Sequence, residues 1–107
     1  MVAGGTLVAA AVARTLREVG VTDVEVIDGV DGWPLIEAWR PRAVFADVEV
    51  DRGEKLLAMA RYLVPVPALV ALADSPLQQQ RWKDSAIVVR AGDQHALVSA
   101  LNYAMRS

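Results

Sequence analysis

The chain has 107 residues, 54% hydrophobic and 22% charged, with a formal net charge of −2 and no cysteine. That length suits one domain, residues 1–107, around one core, and the composition argues against disorder, disulfides, thiolate metal centres and cysteine nucleophiles. The mixed charges form no Lys/Arg cluster for nucleic acid, and the apolar run at residues 7–13 is too short to span a bilayer and follows no basic segment, so neither membrane nor secretion is expected and the cytoplasm is the expected compartment.

In chain order, Val8, Val12, Leu16 and Val19 recur at helical spacing with Arg14, Arg17 and Glu18 turned away, which predicts a helix over residues 6–19 closed by Gly20 as its C′ residue. Residues 23–28 hold Val24, Val26 and Ile27, a short β-prone run ended by Asp28-Gly29. A second helix is predicted from Trp33 to Trp39, with Pro34 in the first turn where its missing N–H costs nothing, and Arg40-Pro41 ends it. Residues 43–48 lack polar alternation until Asp47, the pattern of a strand covered on both faces.

A third helix is predicted over residues 54–63, with Leu56, Ala60 and Leu63 on one side. Val64-Pro65-Val66-Pro67 is expected to be extended, since each residue before a proline is pushed out of the α region. It leads into an apolar strand at residues 68–73. The polar residues 75–85 offer a weak helix around 77–82, residues 86–89 a further strand, and Asp93 an N-cap for a last helix striped by Leu97, Val98, Leu101 and Met105.

Helices alternating with buried strands predict a doubly wound α/β domain of three layers, a parallel sheet of four to five strands between two helical layers. Ligands of such folds bind beyond the carboxyl ends of the strands. Ala3, Gly4, Gly5, Asp28, Asp47, Asp74 and Arg90 fall there.

The run Arg40-Pro41-Arg42-Ala43-Val44-Phe45-Ala46-Asp47 resembles the response-regulator receiver (CheY-like) family, in which an Arg-Pro, a short apolar strand and a phosphate-accepting aspartate follow at this interval. Asp28-Gly29, residues 67–73 and residues 86–90 with the Asp93 helix fit the same plan, so the resemblance covers nearly the whole chain. It implies a five-stranded parallel sheet in the order 2-1-3-4-5, and Asp47 as the equivalent of the phosphoacceptor. Against that pattern, Val2-Ala3-Gly4-Gly5 replaces the acidic residues that help bind magnesium. Ala73 stands for the hydroxyl after strand four, Arg90 for the lysine after strand five, Ala91 for its proline and Ala86 for the switch aromatic, and the loop after Asp47 is short. Phosphoryl transfer works by cancelling charge on the transferring oxygens, and magnesium wants carboxylates to do so. The resemblance therefore implies a degenerate, pseudo-receiver variant, with no metal and no cofactor.

The first strand is expected to be truncated. If Gly4-Gly5 closes it, residues 1–3 remain, too few to pair all of the two strands flanking it, and unpaired buried amides are costly. Either a start further upstream or a neighbouring chain would then fill the slot; direct pairing of strands two and three would defeat this expectation.

Each candidate has a plainer reading beside the functional one. Asp47 as phosphoacceptor competes with an aspartate bonding nearby backbone. Gly4-Gly5 as an anion cradle competes with an ordinary turn, and Arg90 as an anion contact competes with a surface arginine. His95 is expected to face solvent, and Asp28 and Asp74 to serve turns. Trp33, Trp39 and Trp82 are candidates for partner anchors as well as for core. The expected function is a non-enzymatic, phosphorylation-independent interaction or dimerisation module in two-component signal transduction. Its partner is a protein or a second copy, through a face with Trp82, Ile87, Val98, Leu101 and Tyr103. The alternatives are a phosphoacceptor using Asp47, and a small anion- or nucleotide-binding domain using Gly4, Gly5 and Arg90.

Overall fold

The computed structural model describes residues 2–3, 7–21, 26–27 and 33–106. The chain is an α/β protein built on a parallel sheet. The body of that sheet is three strands, β3 (Ala43–Asp47), β4 (Ala68–Leu72) and β5 (Ile87–Val89). Two strands of two residues each, β1 (Val2–Ala3) and β2 (Val26–Ile27), extend it, giving the order β2-β1-β3-β4-β5 among the described residues. The helices are α1 (Leu7–Glu18), α2 (Trp33–Trp39), α3 (Asp51–Ala60), α4 (Pro76–Trp82) and α5 (Gln94–Arg106).

Parity along the strands divides the core. Ala43, Phe45, Val70, Leu72 and Val89 face one way, onto Val12, Ala13 and Leu16 of α1 and Leu97, Ala100, Leu101 and Ala104 of α5. Val44, Ala46, Leu69, Ala71 and Ala73 face the other way, onto Leu57 and Ala60 of α3 and Trp82 of α4. Successive side chains of a strand point to opposite faces, so an unbroken apolar run is what a sheet covered on both sides requires. Ile36 of α2 and Leu56 of α3 close a third cluster with Trp33 and Trp39 at its edge.

β1 lies between β2 and β3, pairing Val2 with Val26 and Phe45, and Ala3 with Ile27 and Ala46. Strands two and three are thus not paired directly, and β1 meets only Phe45 and Ala46 of the five residues of β3. On its other side β3 pairs with β4 along its whole length, from Ala43↔Ala68 to Asp47↔Leu72.

The helix signals that rest on capping chemistry are seen in place. Gly20 has φ 102°, and the bonds Gly20 N–H to the Arg17 carbonyl (3.1 Å) and Val21 N–H to the Leu16 carbonyl (3.1 Å) close α1 in a Schellman arrangement. Asp93 caps α5, its Oδ1 accepting the Ala96 N–H at 3.0 Å. α2 spans Trp33–Trp39 as predicted, and Arg40, squeezed between the helix end and Pro41, takes φ 52°.

The third helix differs from expectation. It runs Asp51–Ala60, one turn earlier than residues 54–63, because Asp51 and Glu54 suit the positive end of the helix and Val50 is already extended before it. Leu63 follows in a turn, its N–H on the Ala60 carbonyl at 3.2 Å, and still packs against the core. Residues 64–67 form no regular element, and the Val64-Pro65 peptide is cis. No helix among the described residues is long and apolar enough to cross a membrane.

Candidate functional site at the carboxyl edge of the sheet

Parallel strands bring their carboxyl ends to one edge, and the register decides which residues meet there. Asp47 pairs with Leu72, which pairs with Val89, so the residues that follow, 48–50, 73–75 and 90–93, form adjoining loops. Two backbone bonds step across this edge, Val48 N–H to the Leu72 carbonyl at 3.2 Å and Ala73 N–H to the Val89 carbonyl at 2.9 Å.

Asp47 is the one buried charged residue among those described, 5% exposed. Its Oδ1 accepts the backbone N–H of Glu49 at 3.0 Å, two residues on, which is the local turn bond an aspartate makes at a strand end. Gly53 of α3 sits directly over its backbone, and a Cβ built on Gly53 would overlap the Asp47 carbonyl oxygen. The first turn of α3 therefore approaches the end of β3 as closely as backbone allows.

Glu49, which the sequence did not single out, accepts three hydrogen bonds from the next loop. One carboxylate oxygen, Oε2, accepts the N–H groups of Asp74 (2.8 Å) and Ser75 (2.6 Å); the other, Oε1, accepts the Ser75 hydroxyl at 2.9 Å. Hydrogen bonds to the ionised form favour it. The Ser75 N–H foremost, with the Ser75 hydroxyl and the Asp74 N–H, holds this carboxyl below its ordinary value of 4.5 against the push of desolvation. Ser75 is also the N-cap of α4, its Oγ accepting the Gln78 N–H at 3.3 Å.

The neighbouring acid is used in the same way. Asp74 Oδ1 accepts the N–H of Ala91 at 3.2 Å, tying the β4–α4 loop to the β5–α5 loop. Gln79 reaches back from α4 to the Ala73 and Asp74 carbonyls, at 3.1 and 3.4 Å. Glu49 and Asp74 are both spent on backbone of the loop beyond their own. No group of three or more His, Asp or Glu side chains suited to a metal ion occurs among the described residues.

The structure brings Asp47, Asp74 and the Arg90–Ala91 turn to this edge as expected and places Arg90 exposed, its carbonyl accepting the Asp93 N–H at 3.0 Å. Gly4, Gly5 and Asp28 lie outside the described residues. Ala73 is buried and brings no hydroxyl, but Ser75 supplies one two residues later. His95 is exposed on the first turn of α5. Glu49, Ser75 and Gly53 escaped the sequence reading. The signals were there: Ser75-Pro76 has the form of an N-cap followed by a proline at the first helical position, and Glu49 stands two residues beyond Asp47.

The face proposed for contacts is only partly open. Trp82 (6% exposed) is core between α3 and α4, its Nε1–H directed at Glu54 Oε2 at 3.4 Å, and Leu101 (9%) is core beneath α5. Neither is offered to a partner by the single chain, because both helices need them to cover the sheet. Ile87 and Val98 are half-buried, and Tyr103 is exposed. Tyr103, Ile87 and Val66 line one shallow groove of about 350 Å³. Tyr62, Val64 and Leu77 are further large exposed apolar side chains.

These features define an α/β domain with a parallel sheet and an acid-rich carboxyl edge. Comparison with protein-family models, with curated proteins and with solved structures gave no match.

Proposed function

We propose that this chain is an atypical receiver-like domain that works by protein contact, with itself or another protein, and without a phosphorylation cycle. The observation that carries the reading is the use of acids at the carboxyl edge: Asp47 holds the Glu49 N–H, Glu49 takes three donors of the β4–α4 loop, and Asp74 takes the Ala91 N–H. Phosphoryl chemistry relies on carboxylates for its metal and on donors for the phosphoryl oxygens, and at this edge such groups bond one another. The doubly wound, receiver-like part of the reading is supported by the strand order β2-β1-β3-β4-β5 with helices on both faces and by the buried aspartate that ends β3.

The contact face we favour centres on Tyr103, with Ile87 and Val66 beside it in the same groove, since an exposed aromatic among aliphatic residues is the usual make-up of an interface anchor. Sedimentation velocity of the wild type and of Tyr103→Glu, each with and without acetyl phosphate and magnesium, tests this. The reading expects a concentration-dependent dimer, or retention of a protein partner, that Tyr103→Glu abolishes and acetyl phosphate leaves unchanged. Assembly that appears only with acetyl phosphate would favour the phosphoacceptor alternative at Asp47.

A further inference from the structure

Three carboxylates at the carboxyl edge make bonds that run in one direction. Asp47, at the end of β3, fixes the backbone of Glu49 (3.0 Å). Glu49 fixes the backbone of Asp74 and Ser75 across 25 and 26 residues of chain. Asp74 fixes the backbone of Ala91, 17 residues further on. Asp47 fixes its own loop, Glu49 and Asp74 each fix the loop beyond their own, and the middle link uses both oxygens of one side chain. Bonds of a charged acceptor to N–H donors are among the stronger hydrogen bonds.

We infer that Glu49 is a clasp that couples the β3–α3, β4–α4 and β5–α5 loops, so that releasing it loosens the Ala91 turn, which Glu49 does not touch. The coupling passes through Asp74: its N–H is held by Glu49 and its Oδ1 holds the Ala91 N–H, so movement of one residue spoils both bonds. α4 moves with it, since its N-cap Ser75 bonds Glu49 with both its N–H and its hydroxyl. The clasp deepens the interaction-module reading and rests on it for its meaning. It keeps the loops leading into α4 and α5, the helices flanking β5, in one arrangement by means of the chain's own acid.

Amide hydrogen exchange on the whole chain is the test, comparing wild type, Glu49→Gln and Asp74→Ala, with the amides of Val70 and Ala71 in β4 as the internal reference. Losing the charged acceptor should speed exchange at Asp74 and Ser75 about tenfold in Glu49→Gln, with a smaller but measurable rise at Ala91 and none at Val70. Asp74→Ala should speed Ala91 while Ser75 stays protected by Glu49. Two results overturn the clasp: unchanged Ser75 exchange in Glu49→Gln, or faster Ser75 exchange with Ala91 unchanged relative to Val70. If Glu49→Gln proves too unstable to measure, Ser75→Ala removes the hydroxyl link together with the cap bond to Gln78 and should give an intermediate rise at Asp74 and Ala91; no rise there overturns the clasp equally. Phosphorylation of Asp47 would defeat the interaction-module reading without altering these exchange patterns in unmodified protein, so the two failures are told apart.

Discussion

Gly53 shows how a single missing methyl can set the relation between two elements. A side chain there would run into the Asp47 carbonyl oxygen, whereas a Cβ on Gly92 meets nothing within 4 Å. Gly53→Ala should therefore cost about 1–3 kcal/mol in urea unfolding, the usual penalty of overpacking, and Gly92→Ala should stay within about 0.5 kcal/mol. The helix expected from residue 54 begins at Asp51 instead, and close packing on β3, which no local pattern announces, is why Gly53 lies inside it. Glu49 has a pH signature of its own. Its carboxyl is lowered in the folded state, so its contribution is complete above the unfolded value near 4.5 and is lost as pH falls through the lowered one. The stability gap between wild type and Glu49→Gln, measured by denaturant titration, should be open at neutral pH and close as pH drops below about 4.5. The side chain is exposed, so the gap should be small.

At the scale of elements, the features legible in the sequence are those whose cause is local. The Gly20 stop, the Asp93 cap, the Pro34 start and the two-sided burial of β3 and β4 each depend on a residue and its immediate neighbours, and each stands where it was expected. The carboxyl edge was legible in part. Asp47 announced itself by ending an apolar run, but the Glu49–Ser75 bonds join residues 26 apart and exist only because β3 and β4 lie in register. The contact face was misjudged at Trp82 and Leu101 for a related reason: an apolar residue on a helix fits core and interface alike until the neighbouring element is in place. Removing a local signal has a local cost. Asp93→Ala should destabilise the protein by about 1 kcal/mol through loss of the α5 cap, read as a lower midpoint in thermal or chemical unfolding.

For the molecule as a whole, the sheet ties fold to function. Its three longer strands are fully engaged with one another and with helices on both faces, while β1 contributes two paired residues to the middle of the order. Deleting the ring at the centre of that packing, Phe45→Ala, should cost about 3–5 kcal/mol, since the side chain is completely buried between β3 and the α1/α5 layer. The same sheet delivers Asp47, Glu49 and Asp74 to one edge and sets each to hold backbone. The most direct test of that view is intact-mass spectrometry after incubation with acetyl phosphate and magnesium, with Asp47→Asn beside the wild type. We predict that both masses stay unchanged. A stable phosphoryl adduct on the wild type, absent from Asp47→Asn, would contradict the account.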